Sequence, residues 1–250
     1  MADTTTHPAP TPRTLRLLGA AFLLQAIASA VSELLLAPVD LLATSAPDDM
    51  AATMADIAAN EWQLRASILG EMVTAGGIIA LGVMLYMVLR GHGRNVAAVA
   101  LGLYLVEAAL LAMREVLVFE LWWTSDQAAA QGPSDTLLTS GAALYESQAF
   151  AYSLHSLAFA AGATIFYMLF ARSGVLPRPL FVLGLIAAPL ALVGEVLVLF
   201  GVDVPLYLFL PNLPFEFGAG LWLVLRARPA TGRGEPGLDA SEEAAGPARS

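Results

Sequence analysis

Seven ionisable side chains lie within stretches apolar enough to sit in a lipid bilayer: Glu33, Glu71, Glu107, Arg114, His155, Glu195 and Glu216. A charge at the bilayer centre costs about 2.5–3.5 kcal/mol on insertion scales, so such groups must be paired, hydrated, protonated or bound to a ligand, and by default they mark function. Glu107 and Arg114 are seven residues apart and therefore share one helical face, which predicts an ion pair. Arg114 is the only base at depth. The remaining acids outnumber it, and this excess points to a polar cavity that takes a cation, a proton or a small amine. Glu107, Arg114 and Glu216 are expected to meet in its interior.

A second signal is Leu210-Pro211-Asn212-Leu213-Pro214-Phe215-Glu216-Phe217-Gly218, set inside an apolar segment long enough to span. Each proline removes a backbone donor and clashes with the preceding turn, so the segment is predicted to be two half-helices joined at Asn212 and Leu213. Non-helical backbone at membrane depth persists only where protein or a watery cavity covers it. Glu216 then falls in the first turn of the second half-helix, near the positive end of its dipole, and Pro214 suits an early helical position. The break is read as the floor of the polar site, with Asn212 beside it.

Plainer readings compete with each of these. Glu33, Glu71, Glu115, Glu120 and Glu146 are close enough to span ends to be merely solvated. Arg114 clamping Glu107 and Glu216 could simply lock two helices together. His155 shares a face with Gln148 and Tyr152 and suits a helix-packing hydrogen bond as well as a proton acceptor. Gly76, Gly77 and Gly82 read as close-packing positions, and Pro189 as a kink one turn before Glu195.

Several chemistries are excluded. The chain has no cysteine, which removes disulfides, thiolate catalysis and cysteine-ligated metals. Three histidines, His7, His92 and His155, are too few and too scattered for a His-Glu-x-x-His metal site. No phosphate-binding glycine loop is present, and no cofactor is implied. An intramembrane enzyme using Glu107 or Glu195 as base and His155 or a protonated Glu216 as acid is the alternative, but it lacks a nucleophile and a metal cluster. A structural or regulatory membrane subunit without ligand is the third reading.

The elements that must position these residues follow from composition. Of 250 residues, 58% are hydrophobic and only 13% charged, against the roughly 25% charged usual in soluble domains. Mean hydropathy is +0.70, as expected of an integral membrane protein whose main partner is the lipid bilayer. Net charge is −9 and all twelve basic residues are arginine, so nucleic acid is not an expected partner. Residues 1–12 and 227–250 read as disordered tails around a transmembrane domain at 13–226. Six spans are predicted within it, at 17–36, 64–89, 96–118, 142–171, 179–200 and 204–225, the last proline-broken. The expected fold is all-α, a bundle of six transmembrane helices. A short, weakly amphipathic interfacial helix opens near Pro47-Asp48 and leads into the second span, and Thr124–Ser140 reads as a polar loop.

Arginine sets the orientation. Ten of the twelve fall on one side of a six-span topology, with Arg65 and Arg114 as exceptions, which places both termini in the cytoplasm of a cell-membrane protein. Asp40, Asp48, Asp49, Asp56, Asp126, Asp135 and Asp203 populate the other side. Depth along the alternating spans then puts nearly all the embedded charges in the outer half, with Glu107 and Glu216 nearest the middle. Arg13, Arg16, the following apolar run and Ala28-Ser29-Ala30 also fit the outline of a cleaved signal peptide, but apolar character continues to Leu36, which favours a retained helix.

Two arginines before the first span, an Asn60-containing helix before the second, and above all Leu210-Pro211-Asn212-Leu213-Pro214-Phe215-Glu216 followed by Gly220-Leu221-Trp222-Leu223-Val224 resemble the bacterial domain-of-unknown-function family numbered 4386. The resemblance covers about residues 13–226, and its specific part is the sixth-span motif. It implies a multi-pass bacterial membrane protein without an assigned activity, and it transfers no catalytic residues.

Overall fold

The structure is a computed structural model that describes residues 10–39, 41, 46–202 and 204–226. The expected tail at 227–250, residues 1–9 of the expected N-terminal tail, and the expected outer acids Asp40 and Asp203 lie outside the described residues. Among the described residues there are helices and no strands.

Helix α1 covers Pro12–Leu36. Thr11 caps it, its hydroxyl accepting from the Thr14 amide at 3.2 Å, and Pro12 opens the first turn, where a missing N–H is harmless. The helix runs unbroken through Ala28-Ser29-Ala30. The expected short helix is α2, Met50–Ala59, capped by the Asp49 carboxylate on the Ala52 amide at 3.0 Å. Its Met50, Met54 and Ile57 face inward, and α3, Glu61–Leu89, begins directly after Asn60. A 3-10 turn at Arg90–His92 and Gly93, at φ +157°, lead into α4, Arg94–Gln131. Helix α5 spans Asp135–Ser173 and α6 spans Arg178–Leu199 with Pro189 inside it.

Helices α4 and α5 are much longer than the predicted spans. Thr124–Ser140 is not a loop: only Gly132, Pro133 and Ser134 interrupt the helices. The polar residues there satisfy themselves locally, the Thr124 and Ser125 hydroxyls donating to carbonyls four residues back. Gly132, at φ +89°, then ends α4, and the Ser134 hydroxyl caps α5 on the Leu137 amide at 3.4 Å. This extension is held by packing, since α2 lies against α4 in a second core of Met54, Ile57, Val118, Leu121, Trp122 and Tyr145.

The segment after α6 contains a 3-10 turn at Leu206–Leu208, and then α7, Asn212–Arg226. The expected first half-helix is thus a single turn, because Pro205 and Pro211 bracket too few residues for an α-helix. At 15 residues α7 is about 22 Å long, short of the roughly 30 Å hydrocarbon core. Five helices, α1, α3, α4, α5 and α6, are long and apolar enough to cross a membrane.

Helix α1 packs on α3, α3 on α4, α4 on α5, α5 on α6, α6 on α7, and α7 back on α1, so six helices close a ring. Its outer faces are apolar, with Leu34, Leu69, Val116 and Ile186 all more than half exposed, whereas Gln25, Glu107, Arg114, Gln148 and Glu216 are buried. That inverted arrangement is what a lipid solvent imposes, and the chain is a multi-pass membrane protein. Two of the three singled-out glycines permit close approach. A Cβ at Gly77 would stand 2.9 Å from Gln25 Cβ on α1, and one at Gly82 would stand 3.0 Å from Tyr104 Cβ on α4. Gly76 contradicts the expectation, because it faces outward with nothing within 4 Å.

Candidate functional site

The buried polar groups form two layers inside the ring. The outer layer is centred on Arg114, 2% exposed. Its Nη1 donates to Glu115 Oε1 at 3.1 Å, its Nε donates to Gln148 Oε1 at 3.1 Å, and its guanidinium carbon lies 4.9 Å from the Tyr152 ring centroid. Gln148 passes the interaction on, donating through Nε2 to the Leu41 carbonyl at 3.1 Å. The Tyr152 hydroxyl donates to Glu33 Oε1 at 3.2 Å. Glu71 is buried in the same layer, beside Ser32 and within Coulombic reach of Glu115, Arg114 and Glu33. The layer therefore holds one arginine and three carboxylates, and Arg114 Nη2 and Glu115 Oε2 remain without hydrogen-bond partners.

The inner layer contains Glu107, Glu216, Tyr104 and Tyr167. Gln25 Nε2 on α1 donates to Glu216 Oε2 on α7 at 3.0 Å. Glu107 is 3% exposed with Oε2 unpartnered, and the charge it faces is Glu216. The Tyr104 and Tyr167 hydroxyls lie against each other without well-formed hydrogen-bond geometry. Phe215 fixes the start of α7, its ring 4.1 Å from Tyr167 and edge-on to Phe22 at 6.3 Å. His155 Nδ1 lies 3.1 Å from the Glu107 carbonyl oxygen, so the imidazole engages backbone, not the carboxylate. Asn212, at the first turn of α7, donates to the Phe209 carbonyl at 3.4 Å, and its buried Oδ1 has no partner.

Glu107 and Glu216 therefore come together as expected, but Arg114 does not join them. Seven residues are about 10.5 Å along a helix, too far for the guanidinium when Glu115 and Gln148 stand at its own level. Glu71, named among the embedded charges with solvation as the plainer reading, and Glu115, read only as solvated, are each 3% exposed, while Glu120 and Glu146 are exposed. Glu195 stands apart, buried beside Ser156 on the α5–α6 side. Glu216 is the fifth residue of α7, at the start of its second turn and not in its first as expected.

Sequence reasoning missed Gln25, Tyr104 and Tyr167. The available signal was an amide in mid-span on α1, where every other residue from Leu17 to Ala28 is apolar or glycine. Between α1 and α7 opens a cleft of about 360 Å³, lined in part by Gln25, Ser29, Ala30, Glu33, Leu213 and Glu216. Glu33 and Glu216 are its two carboxylates. No three His, Asp or Glu side chains among the described residues converge as metal ligands would.

The sequence signature of a family described as a domain of unknown function, DUF4386, matches residues 14–227, and so takes in both polar layers and the cleft. The chain belongs to this family. The DUF4386 description assigns no activity, and no curated protein and no solved structure matches the chain.

Proposed function

We propose that this DUF4386 protein binds a small organic cation, for uptake or sensing, in the cleft between α1 and α7, with Glu216 at its deep end. One observation carries the reading. Glu216 and Glu33 line a single cleft and Glu107 lies behind Glu216, while Arg114, the one buried arginine among the described residues, is taken by Glu115 and Gln148. An excess of carboxylate in a water-poor space is stabilised by a cation or by protons. A hard metal ion prefers six or more oxygens in its first shell, and the carboxylates here do not converge that way, so an ammonium group fits better.

The same reading assigns the rest of the chain. The transmembrane domain is 13–226 with tails at 1–12 and 227–250, the protein resides in the cell membrane, and both termini are cytoplasmic, as the arginine distribution favours. The sixth crossing is α7 together with the proline-broken segment before it. Gln25 lies eleven residues from the end of α1, about 16 Å, so its bond to Glu216 favours a mid-membrane start for α7. Irregular backbone opening onto a cavity at mid-depth is a recurrent way to build a transporter site. Helix α1 stays in the mature chain on this reading, since it supplies Gln25 and Glu33.

The test is the thermal stability of the purified protein across alkylamines, metal cations and pH. A binder gains a concentration-dependent rise in melting temperature that Glu216→Gln removes. If no amine shifts melting, and Glu216→Gln behaves as wild type from about pH 5 to 8, the binding reading fails and a structural membrane subunit takes its place.

A further inference from the structure

The cleft's two carboxylates are not neighbours. Gln25, Ser29 and Glu33 fall at i, i+4 and i+8 on one stripe of α1, and all three line the cleft. Gln25 and Glu33 are eight residues apart, about 12 Å along the helix axis. Glu216 is held at the Gln25 level by the 3.0 Å bond, and Glu33 sits at the Tyr152 end. Between the two carboxylates the α1 wall carries only Ala26, Ser29 and Ala30, and Leu213 lines the cleft from α7.

We propose that the cleft takes a linear α,ω-diamine, one ammonium on Glu33, the other on Glu216, and the methylene chain along the alanines and Leu213. This rests on the organic-cation reading and narrows it. A single ammonium at one end leaves the other carboxylate with one neutral donor, Tyr152 or Gln25, although each carboxylate can accept about four hydrogen bonds. Glu107 adds an independent sign that the deep end is short of donors. Its buried Oε2 has no partner, and although it does not line the cleft it lies within Coulombic reach of Glu216, so its carboxylate adds to the attraction for an ammonium held on Glu216. A volume of about 360 Å³ falls within the small-molecule range, far above what one dehydrated metal ion fills. The small side chains between the ends offer apolar contact and no competing charge.

The experiment measures binding of linear diamines and of monoamines with the same carbon count to the full-length protein in lipid nanodiscs, by calorimetry and thermal shift. The best diamine is expected to bind about tenfold tighter than its matched monoamine. Glu33→Gln brings that ratio to near one while monoamine binding survives, and Glu216→Gln abolishes both. Glu33→Asp, which withdraws the carboxylate by one methylene, moves the optimum to a longer diamine and needs no loss of charge. Monoamines binding as tightly as diamines, or a ratio unchanged in Glu33→Gln and an optimum unchanged in Glu33→Asp, overturn the diamine assignment and leave the amine reading standing. Absence of binding by every amine overturns both.

Discussion

Arg114 Nη1 donates to Glu115 Oε1 at 3.1 Å, with both side chains 2% exposed, so the most deeply buried cation is neutralised by its own neighbour in sequence. Removing one partner of a buried pair strands the other charge, which costs about 3–5 kcal/mol. Arg114→Leu is therefore expected to lower unfolding stability by about that amount. The double variant Arg114→Leu/Glu115→Leu should recover part of the loss, although Gln148 and Glu71 keep some of the penalty. Denaturant unfolding in mixed micelles checks this, and a double variant less stable than Arg114→Leu contradicts it.

Gly77 sets the separation of α3 from α1 at the level of Gln25. A side chain there must displace Gln25, the donor to Glu216. Gly77→Val is expected to cost about 1–3 kcal/mol through overpacking, and to weaken any amine-dependent melting shift with it. Gly76→Val is the matched control: nothing lies within 4 Å of the added carbon, so stability should change by less than about 0.5 kcal/mol. Equal effects from the two adjacent substitutions would show that the α1–α3 contact does not position Gln25.

The first four predicted spans fall within observed helices and the fifth overruns α6 by Phe200 alone, because lipid demands continuous apolar sequence and that demand is visible residue by residue. Where the helices leave the membrane the demand lapses. Thr124–Gln131 is polar and reads as loop, yet it is helical because α2 packs on α4 there and Arg65 covers the Trp122 ring at 4.3 Å, contacts that no local pattern announces. At the candidate site the carboxylates other than Glu115 were legible, since each is costly in an apolar run. Gln25, Tyr104 and Tyr167 were not, because a neutral polar group in a span is a much weaker signal. The Arg114–Glu115 pair was hidden for a geometric reason. Adjacent helical residues point about 100° apart, and only the length of the arginine side chain brings them together.

The arginine distribution favours cytoplasmic termini, and a single pair of cysteines tests that orientation. Gly132–Ser134 joins α4 to α5, and Arg90–Gly93 joins α3 to α4 at the opposite end of α4. A cysteine placed at Ser134 should react with a membrane-impermeant maleimide added outside intact cells, and one at Gly93 only after permeabilisation. The chain has no native cysteine, so the background is clean. The reverse pattern would invert the topology and turn the α1–α7 cleft toward the cytoplasm.

Glu107 presents a buried Oε2 with no donor, opposite Glu216. Replacing it by glutamine keeps the shape, removes one of two facing acids, and supplies N–H donors that can reach Glu216 or a tyrosine hydroxyl. In a protein without ligand the exchange should therefore stabilise the fold, by about 1.5–3 kcal/mol if one hydrogen bond to a charged partner forms. The same substitution removes the carboxylate within Coulombic reach of Glu216 behind the cleft wall, so amine binding should weaken as stability rises. Those opposite signs separate the two roles of the residue. A purely structural Glu107 gives no change in amine response, whereas a loss of stability in Glu107→Gln means that its carboxylate is held by a donor and not left unpaired.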